Sequence, residues 1–205
     1  MSSARNQKQS CLIFDLDETL VSTIPRDQLP RAWRTMDTDD YDYAYEPDDT
    51  VGFIRPYCKK LLDVSFKYFD MVGIWTAGSQ DYASTIVPVV FGERTPSFVW
   101  TREESVLSLN GQYFYKPLSK LWQSQRKIDI ARTIIVDDRL ETAIANPANL
   151  ILMPKFRATD SNAFKDVELL KLAAFIKEIG TSDVDDYAGM IDKRNWIKDF
   201  AVYYG

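Results

Sequence analysis

The chain has 205 residues, 45% of them apolar and 13% aromatic, enough for one well-packed α/β domain and short for two. Its formal net charge of −5 offers no general basic surface for nucleic acid phosphates, and zero histidines exclude Ser-His-Asp triads, His-rich zinc sites and phosphohistidine transfer. No apolar run approaches the roughly 18 to 20 residues that cross a bilayer, and the polar start MSSARNQKQS lacks an apolar signal segment. A soluble intracellular protein, nuclear or cytoplasmic, is therefore expected, with no membrane partner and no direct nucleic acid binding.

Residues 1–10 read as a disordered polar tail, followed by a first strand at about 11–15. Between Asp37 and Asp49 the chain holds seven acids and no base. This reads as an exposed loop or hairpin with Tyr41, Tyr43 and Tyr45 on one face. A helix is expected from Pro56 to about Tyr68, because proline suits a first helical turn, then a buried strand at 71–75. Ser79 caps a helix running to about residue 90 that Pro88 weakens. A strand at 97–101, a tight Asn-Gly hairpin at 109–115, a short helix at 118–126, and strands at 133–138 and 149–153 follow. The C-terminal third reads as helix from about Ala163 to Ile179, with an apolar stripe for the core, and again from Asp183 to Tyr203. This alternation calls for a mostly parallel sheet flanked by helices, with residues 11–180 as the domain and 181–205 as a helical extension packed on it. Cys11 and Cys58 lack metal-type spacing and read as buried, reduced thiols. Val64 stands six positions after Cys58 where a cysteine phosphatase loop needs Arg.

Two strands end in acids: LIF runs into Asp15 and Asp17, and TIIV into Asp137 and Asp138; a third, GIW, ends at Thr76. In an open parallel sheet such ends converge where ligands bind. Carboxylates gathered there repel one another unless a cation joins them, and oxygen donors without His or Cys suit Mg²⁺. Each piece alone also fits an ordinary role: an Asp after a strand as a turn residue, Thr76 as a cap, Lys116 as a surface cation. Their order and combination carry the argument.

DLDET at 15–19 matches the DxDx[T/V] signature of the haloacid dehalogenase superfamily, and Thr76 in IWTAGS, Lys116 in YKPLSKL and the acid pair of VDD complete its four motifs. DLDETLV, RPY at 55–57, IWTAGSQDYA, REES at 102–105 and YFYKPLSKL further resemble the small C-terminal-domain phosphatases, also called NLI-interacting-factor-like or FCP/SCP-like, over about residues 11–175. The resemblance implies a Rossmann-like fold and a Mg²⁺-dependent protein serine/threonine phosphatase working through an aspartyl phosphate, with the RNA polymerase II C-terminal tail among its implied substrates. Asp15 is then the nucleophile and Asp17 the general acid and base. Asp15 and Asp137 hold the metal with their side chains and Asp17 with its backbone carbonyl. Thr76, Lys116 and the backbone amides of Leu16 and Ala77 hold phosphate oxygens. Thr19 orients the loop, and Asp138 supports the metal through hydrogen bonds or a bound water. Many small members carry Asn at the last position, so Asp138 leans toward the larger FCP-type pattern.

Fifty-six residues lie between Thr19 and Thr76 and 39 between Thr76 and Lys116, with no room in either for a large cap domain. An open site favours a phosphorylated protein segment over a small metabolite. Tyr82 matches one residue of the family's pocket for a proline beside the phosphoserine, whereas Ser79 and Pro25 stand where apolar and aromatic residues are common. A phosphatase for a small-molecule or nucleic-acid-end phosphate, and a non-catalytic phosphoprotein-binding module, are the alternatives; the second would show loss of the first Asp or of the motif lysine.

Overall fold

The computed structural model describes residues 9–33, 44–45, 50–125 and 127–193. Strand β1 (Gln9–Phe14) is the centre of the sheet. It begins two residues inside the segment expected to be a tail, because Ser10 is buried and its amide and hydroxyl both donate to Asp70 Oδ2 at 2.8 Å. Residues 1–8 lie outside the described residues.

The segment after the loop that follows β1 forms a small antiparallel sheet from β2 (Val21–Pro25), β3 (Ala44–Tyr45) and β4 (Thr50–Ile54), in the order β2-β4-β3. Most of the acidic stretch, including Tyr41 and Tyr43, falls outside the described residues. This sheet has its own core, in which Leu29, Val51 and Phe53 pack on Phe156 and Ala163. Helix α1 (Cys58–Tyr68) starts two residues later than Pro56, since Tyr57 takes a left-handed φ of 65° before the helix.

Strand β5 (Met71–Trp75) and helix α2 (Gln80–Phe91) follow. Pro88 does not end α2. The amide it lacks would have bonded the carbonyl of Ser84, which is exposed and can be met by water instead. Strand β6 (Val99–Trp100) closes one edge of the sheet, and β7 (Val106–Leu107) pairs with β8 (Phe114–Tyr115) in a hairpin. Its six-residue loop, 108–113, is longer than the tight turn the Asn-Gly pair suggested; only Gly111 there has a positive φ, 69°. Two-residue turns of that kind need it at both central positions. After α3 (Leu118–Ser124), strand β9 (Ile128–Asp137) begins five residues earlier than the apolar run TIIV indicated. Strand β10 (Leu150–Leu152) precedes α4 (Glu168–Thr181) and α5 (Tyr187–Lys193).

Helix α4 starts later than Ala163. A 3-10 turn (Ala163–Lys165) comes first, and Asp166 after it accepts at Oδ1 from the Glu168 amide at 2.8 Å and pairs through Oδ2 with buried Arg55 at 2.8 Å. Residues after 193 lie outside the described residues.

The main sheet runs β10-β9-β1-β5-β6 with every pairing parallel. Alternation along β1 divides the core: Leu12 and Phe14 meet α1, α2, α4 and α5, while Cys11 and Ile13 meet α3. Tyr187 and Ile191 belong to the first of these cores, so α5 packs into the domain's interior. Both cysteines are free and buried, and burial pushes the Cys58 thiol up to about 12. Among the described residues no helix is long and apolar enough to cross a membrane.

Helix α4 approaches α1 so closely that a Cβ built on Gly180 would stand 2.3 Å from Tyr68 Cβ. Gly180→Ala should therefore destabilise the protein, by about 1 to 3 kcal/mol, despite alanine's better helix propensity. Urea unfolding checks this, and an unchanged or higher midpoint would contradict the tight helix contact.

Candidate active site

The register of the parallel strands brings the functional candidates together. Phe14 pairs with Ile74 on one side and Val136 on the other, so the residues after β1, β5 and β9 emerge at one edge. The Asp15 amide donates to the Val136 carbonyl at 2.9 Å and the Thr76 amide to the Trp100 carbonyl at 2.9 Å, which ties both side chains to the sheet. A cavity of about 200 Å³ lies there, lined by Asp15, Asp17, Glu18, Thr76, Ala77, Phe114, Lys116, Asp137, Asp138, Arg139 and Thr142. Of the residues named from the sequence, Leu16, Thr19 and Tyr82 stand behind this lining.

The loop after β1 is rigid for local reasons. The Leu16 carbonyl accepts from the amides of Thr19, Leu20 and Val21, and the Leu16 side chain is wholly buried. Glu18 adopts a left-handed φ of 57°, uncommon for a residue with a Cβ. Its carbonyl accepts from the Phe156 amide at 2.7 Å, and its carboxylate pairs with Lys155 and Arg157. Underneath, Arg55 is fully buried and donates from Nη1 to the Thr19 carbonyl at 3.1 Å. The RPY segment thus supports the loop after β1 from below.

Lys116 sits in the middle of the acids, 2% exposed, with Nζ donating to Asp15 Oδ1 at 2.6 Å and Asp137 Oδ2 at 2.7 Å. Burial alone would lower its pKa, but the two carboxylates more than reverse this and hold the ammonium above its ordinary value. Burial pushes the Asp15 carboxyl up; Lys116 opposes this, Asp137 and Asp138 add to it, and the net direction is upward. Asp138 is pushed up to about 6 by burial and by Asp137, against the pull of Lys155. Thr19 Oγ1 donates to Asp138 Oδ1 at 3.3 Å.

Asp15, Asp137 and Asp138, with Asp17 beside them, outnumber the two ammonium groups that meet them, Lys116 and Lys155. Asp15, Asp137 and Asp138 each place an oxygen within 4.8 Å of the others, all of them buried. Asp138 Oδ2 accepts no hydrogen bond, although Lys155 Nζ lies 3.1 Å away out of line. Three buried carboxylates whose hard oxygens lie this close together fit a divalent cation. Asp138 stands inside this cluster, where the sequence had suggested a supporting role.

Asp17 differs from its neighbours. Its carboxylate accepts from the Tyr82 hydroxyl and has no part in the three-acid cluster. Burial pushes its carboxyl up, with Tyr82 and Lys116 pulling the other way. Thr76 Oγ1, wholly buried, accepts from the Gly78 amide at 2.9 Å. Arg139, Thr142 and Lys155 went unnoticed in the sequence, and Glu18 and Phe114 were seen there only as members of DLDET and YFYKPLSKL, without a role of their own. Arg139 and Thr142 follow the acid pair too closely in the chain for any pattern to single them out. Lys155 is one of many surface cations until the fold sets it beside Asp138.

Comparison with known proteins agrees with this architecture. The chain matches the sequence model of the NLI interacting factor-like phosphatases over residues 10–187. It is 28% identical over 185 residues to the CTD phosphatase-like protein 355R of Invertebrate iridescent virus 3, covering 82% of this chain and 95% of that one. It is 25% identical over 163 residues to the ubiquitin-like domain-containing CTD phosphatase 1 of Drosophila melanogaster, covering 76% of this chain and 50% of that one. The solved structure of Fcp1, an essential RNA polymerase II CTD phosphatase, superposes with a TM-score of 0.52 at 19% identity over 96% of this chain and 54% of the other. The chain thus spans about half the length of the Drosophila relative and of Fcp1, and the second likeness is one of fold. The parallel sheet with acids at its strand ends is the Rossmann-like fold of the haloacid dehalogenase superfamily, and within it this chain belongs to the NLI interacting factor-like phosphatase family.

Proposed function

We propose that the chain is a Mg²⁺-dependent protein serine/threonine phosphatase that works through an aspartyl phosphate on Asp15. The observation that carries this reading is the meeting of Asp15, Lys116, Asp137 and Asp138 in one cavity, with Asp17 beside them but bonded elsewhere. Asp15, Asp137 and Asp138 would hold the cation, together with the Asp17 backbone carbonyl that the family resemblance implies. When bound, Mg²⁺ supplies positive charge to the phosphoryl oxygens and favours ionised Asp15.

Asp15 attacks phosphorus, forming a carboxyl oxygen–phosphorus bond as the bond to the seryl or threonyl oxygen breaks. Asp17 gives its proton to that departing oxygen. It then takes a proton from the water that attacks the aspartyl phosphate, which frees phosphate and restores both acids. Lys116, Thr76 and the amides of Leu16 and Ala77 hold the phosphate oxygens through this sequence.

Two small antiparallel sheets, together with α1, α2, β5 and β6 of the main fold, occupy the described parts of the two intervals where a cap would stand, and Phe114 and Arg139 line the cavity beside the acids. This openness favours a phosphorylated protein segment. Because relatives carry CTD phosphatase in their names, phosphopeptides of the RNA polymerase II tail are the first to test.

Release of phosphate from an aryl phosphate and from phosphoserine peptides should require Mg²⁺ and fall to background with chelator, returning when Mg²⁺ is restored. Equal rates with chelator and with Mg²⁺ would overturn the metal assignment. Activity on the aryl phosphate with none on any phosphopeptide would overturn the substrate class.

A further inference from the structure

Tyr82 stands behind the cavity and yet touches one of its working groups. Its hydroxyl donates to Asp17 Oδ1 and lies 3.0 Å from Thr23 Oγ1 on β2. Since the Tyr82 proton is committed to the carboxylate, Thr23 is the donor in the second bond, and the chain of bonds runs Thr23 to Tyr82 to Asp17.

The local sequence places this ring firmly. Ser79 caps α2 by accepting from the Tyr82 amide at 3.2 Å, which sets the backbone of the first turn. Gly78 leaves room for the ring: a Cβ there would stand 2.7 Å from Tyr82 Cδ1. The aromatic body also packs against the main core. Within one stretch, T-A-G-S-Q-D-Y, the glycine, the cap and the tyrosine serve a single contact.

The other acids of the site meet ammonium groups, Asp15 and Asp137 that of Lys116 and Asp138 that of Lys155. Asp17 meets a neutral hydroxyl, whose one proton can stay on Oδ1 whether Oδ2 is bare or protonated. A group of this kind can hold the same oxygen before and after proton transfer.

We infer that Tyr82 is a positioning residue for the reaction: it anchors Asp17 Oδ1 and leaves Oδ2 as the oxygen that exchanges protons with the leaving group and with water. The inference rests on the role proposed above for Asp17.

Single-turnover rates with the Mg²⁺-loaded full chain test it, because they read the attack step alone. Two substrates are compared: p-nitrophenyl phosphate, whose leaving group departs without help, and a phosphoserine peptide, whose alkoxide needs a proton. Tyr82→Phe should slow the peptide by about 10- to 100-fold, with half-saturation unchanged, and nitrophenol release by less than about threefold. Asp17→Asn should show the same selectivity with a larger loss. Thr23→Val should show it weakly, and serves if Tyr82→Phe does not fold. Equal slowing of both substrates by Tyr82→Phe, or a change confined to half-saturation, would overturn the positioning role. Absence of leaving-group selectivity in Asp17→Asn would instead remove its premise, the assignment of Asp17 as the acid.

Discussion

Asp15→Asn should lower phosphate release from an aryl phosphate by at least about 10³-fold while the protein stays folded. Asparagine keeps the shape of the side chain and the amide bond to the Val136 carbonyl, but its neutral amide cannot attack phosphorus. The cost to the fold should be small, because the Asp15 carboxyl is pushed up in this site: burial and the neighbouring acids already oppose its charge. Lys116 would lose one of its two negative partners and keep Asp137 at 2.7 Å. In chelator, the melting temperature of the variant should match or exceed that of wild type. A rate within tenfold of wild type would remove Asp15 as nucleophile, and a large loss of stability would show that the charge is needed for folding.

Lys116→Met should give the largest loss of stability, about 3 to 5 kcal/mol by urea unfolding in chelator. Methionine fills much of the same volume, so the effect comes from charge: Asp15 and Asp137 lose the cation that donates to both, inside a buried cluster that includes Asp138. Added Mg²⁺ should restore more stability to this variant than to wild type, because it replaces a missing positive charge. The pH dependence has a definite sign. Asp138 has a folded pKa of about 6 against an ordinary 3.8, so in the metal-free protein the native state binds more protons between these values. This contribution falls as pH rises through that window in both proteins; the stability deficit of Lys116→Met should shrink from pH 7 toward pH 4 because Asp15, whose carboxyl Lys116 pulls down, takes up a proton more readily once the lysine is gone. A deficit that stayed constant with pH would mean that lost packing, and not unpaired charge, is responsible.

Much of the fold was legible because the strands of a parallel sheet covered on both faces are apolar on both sides. MVGIW and TIIV could hardly be read otherwise, and the acids that end such runs must lie at the sheet's carboxyl edge. Boundaries were harder. β9 starts at Ile128 because its early residues, Asp129 and Arg132 among them, extend the strand beyond the apolar run. Helix α2 passes through Pro88 because the bond forfeited there faces water. The sequence also could not reveal that α5 helps complete the main core, since Tyr187 and Ile191 look like any pair on an amphipathic helix.

The site divides along the same line. The chain by itself determined which acids end which strands and that no histidine takes part, because these follow from strand period and composition; that Thr76 and Lys116 belong with them was implied by the resemblance of their motifs. Tertiary structure alone decided that Lys116 lies between Asp15 and Asp137, that Asp138 joins the buried cluster, and that Tyr82 reaches Asp17 across 65 positions of sequence. Such contacts depend on the aim of single side chains from loops and helix ends. A shift of about one ångström makes or breaks a hydrogen bond there, and no pattern of residue types carries that distance.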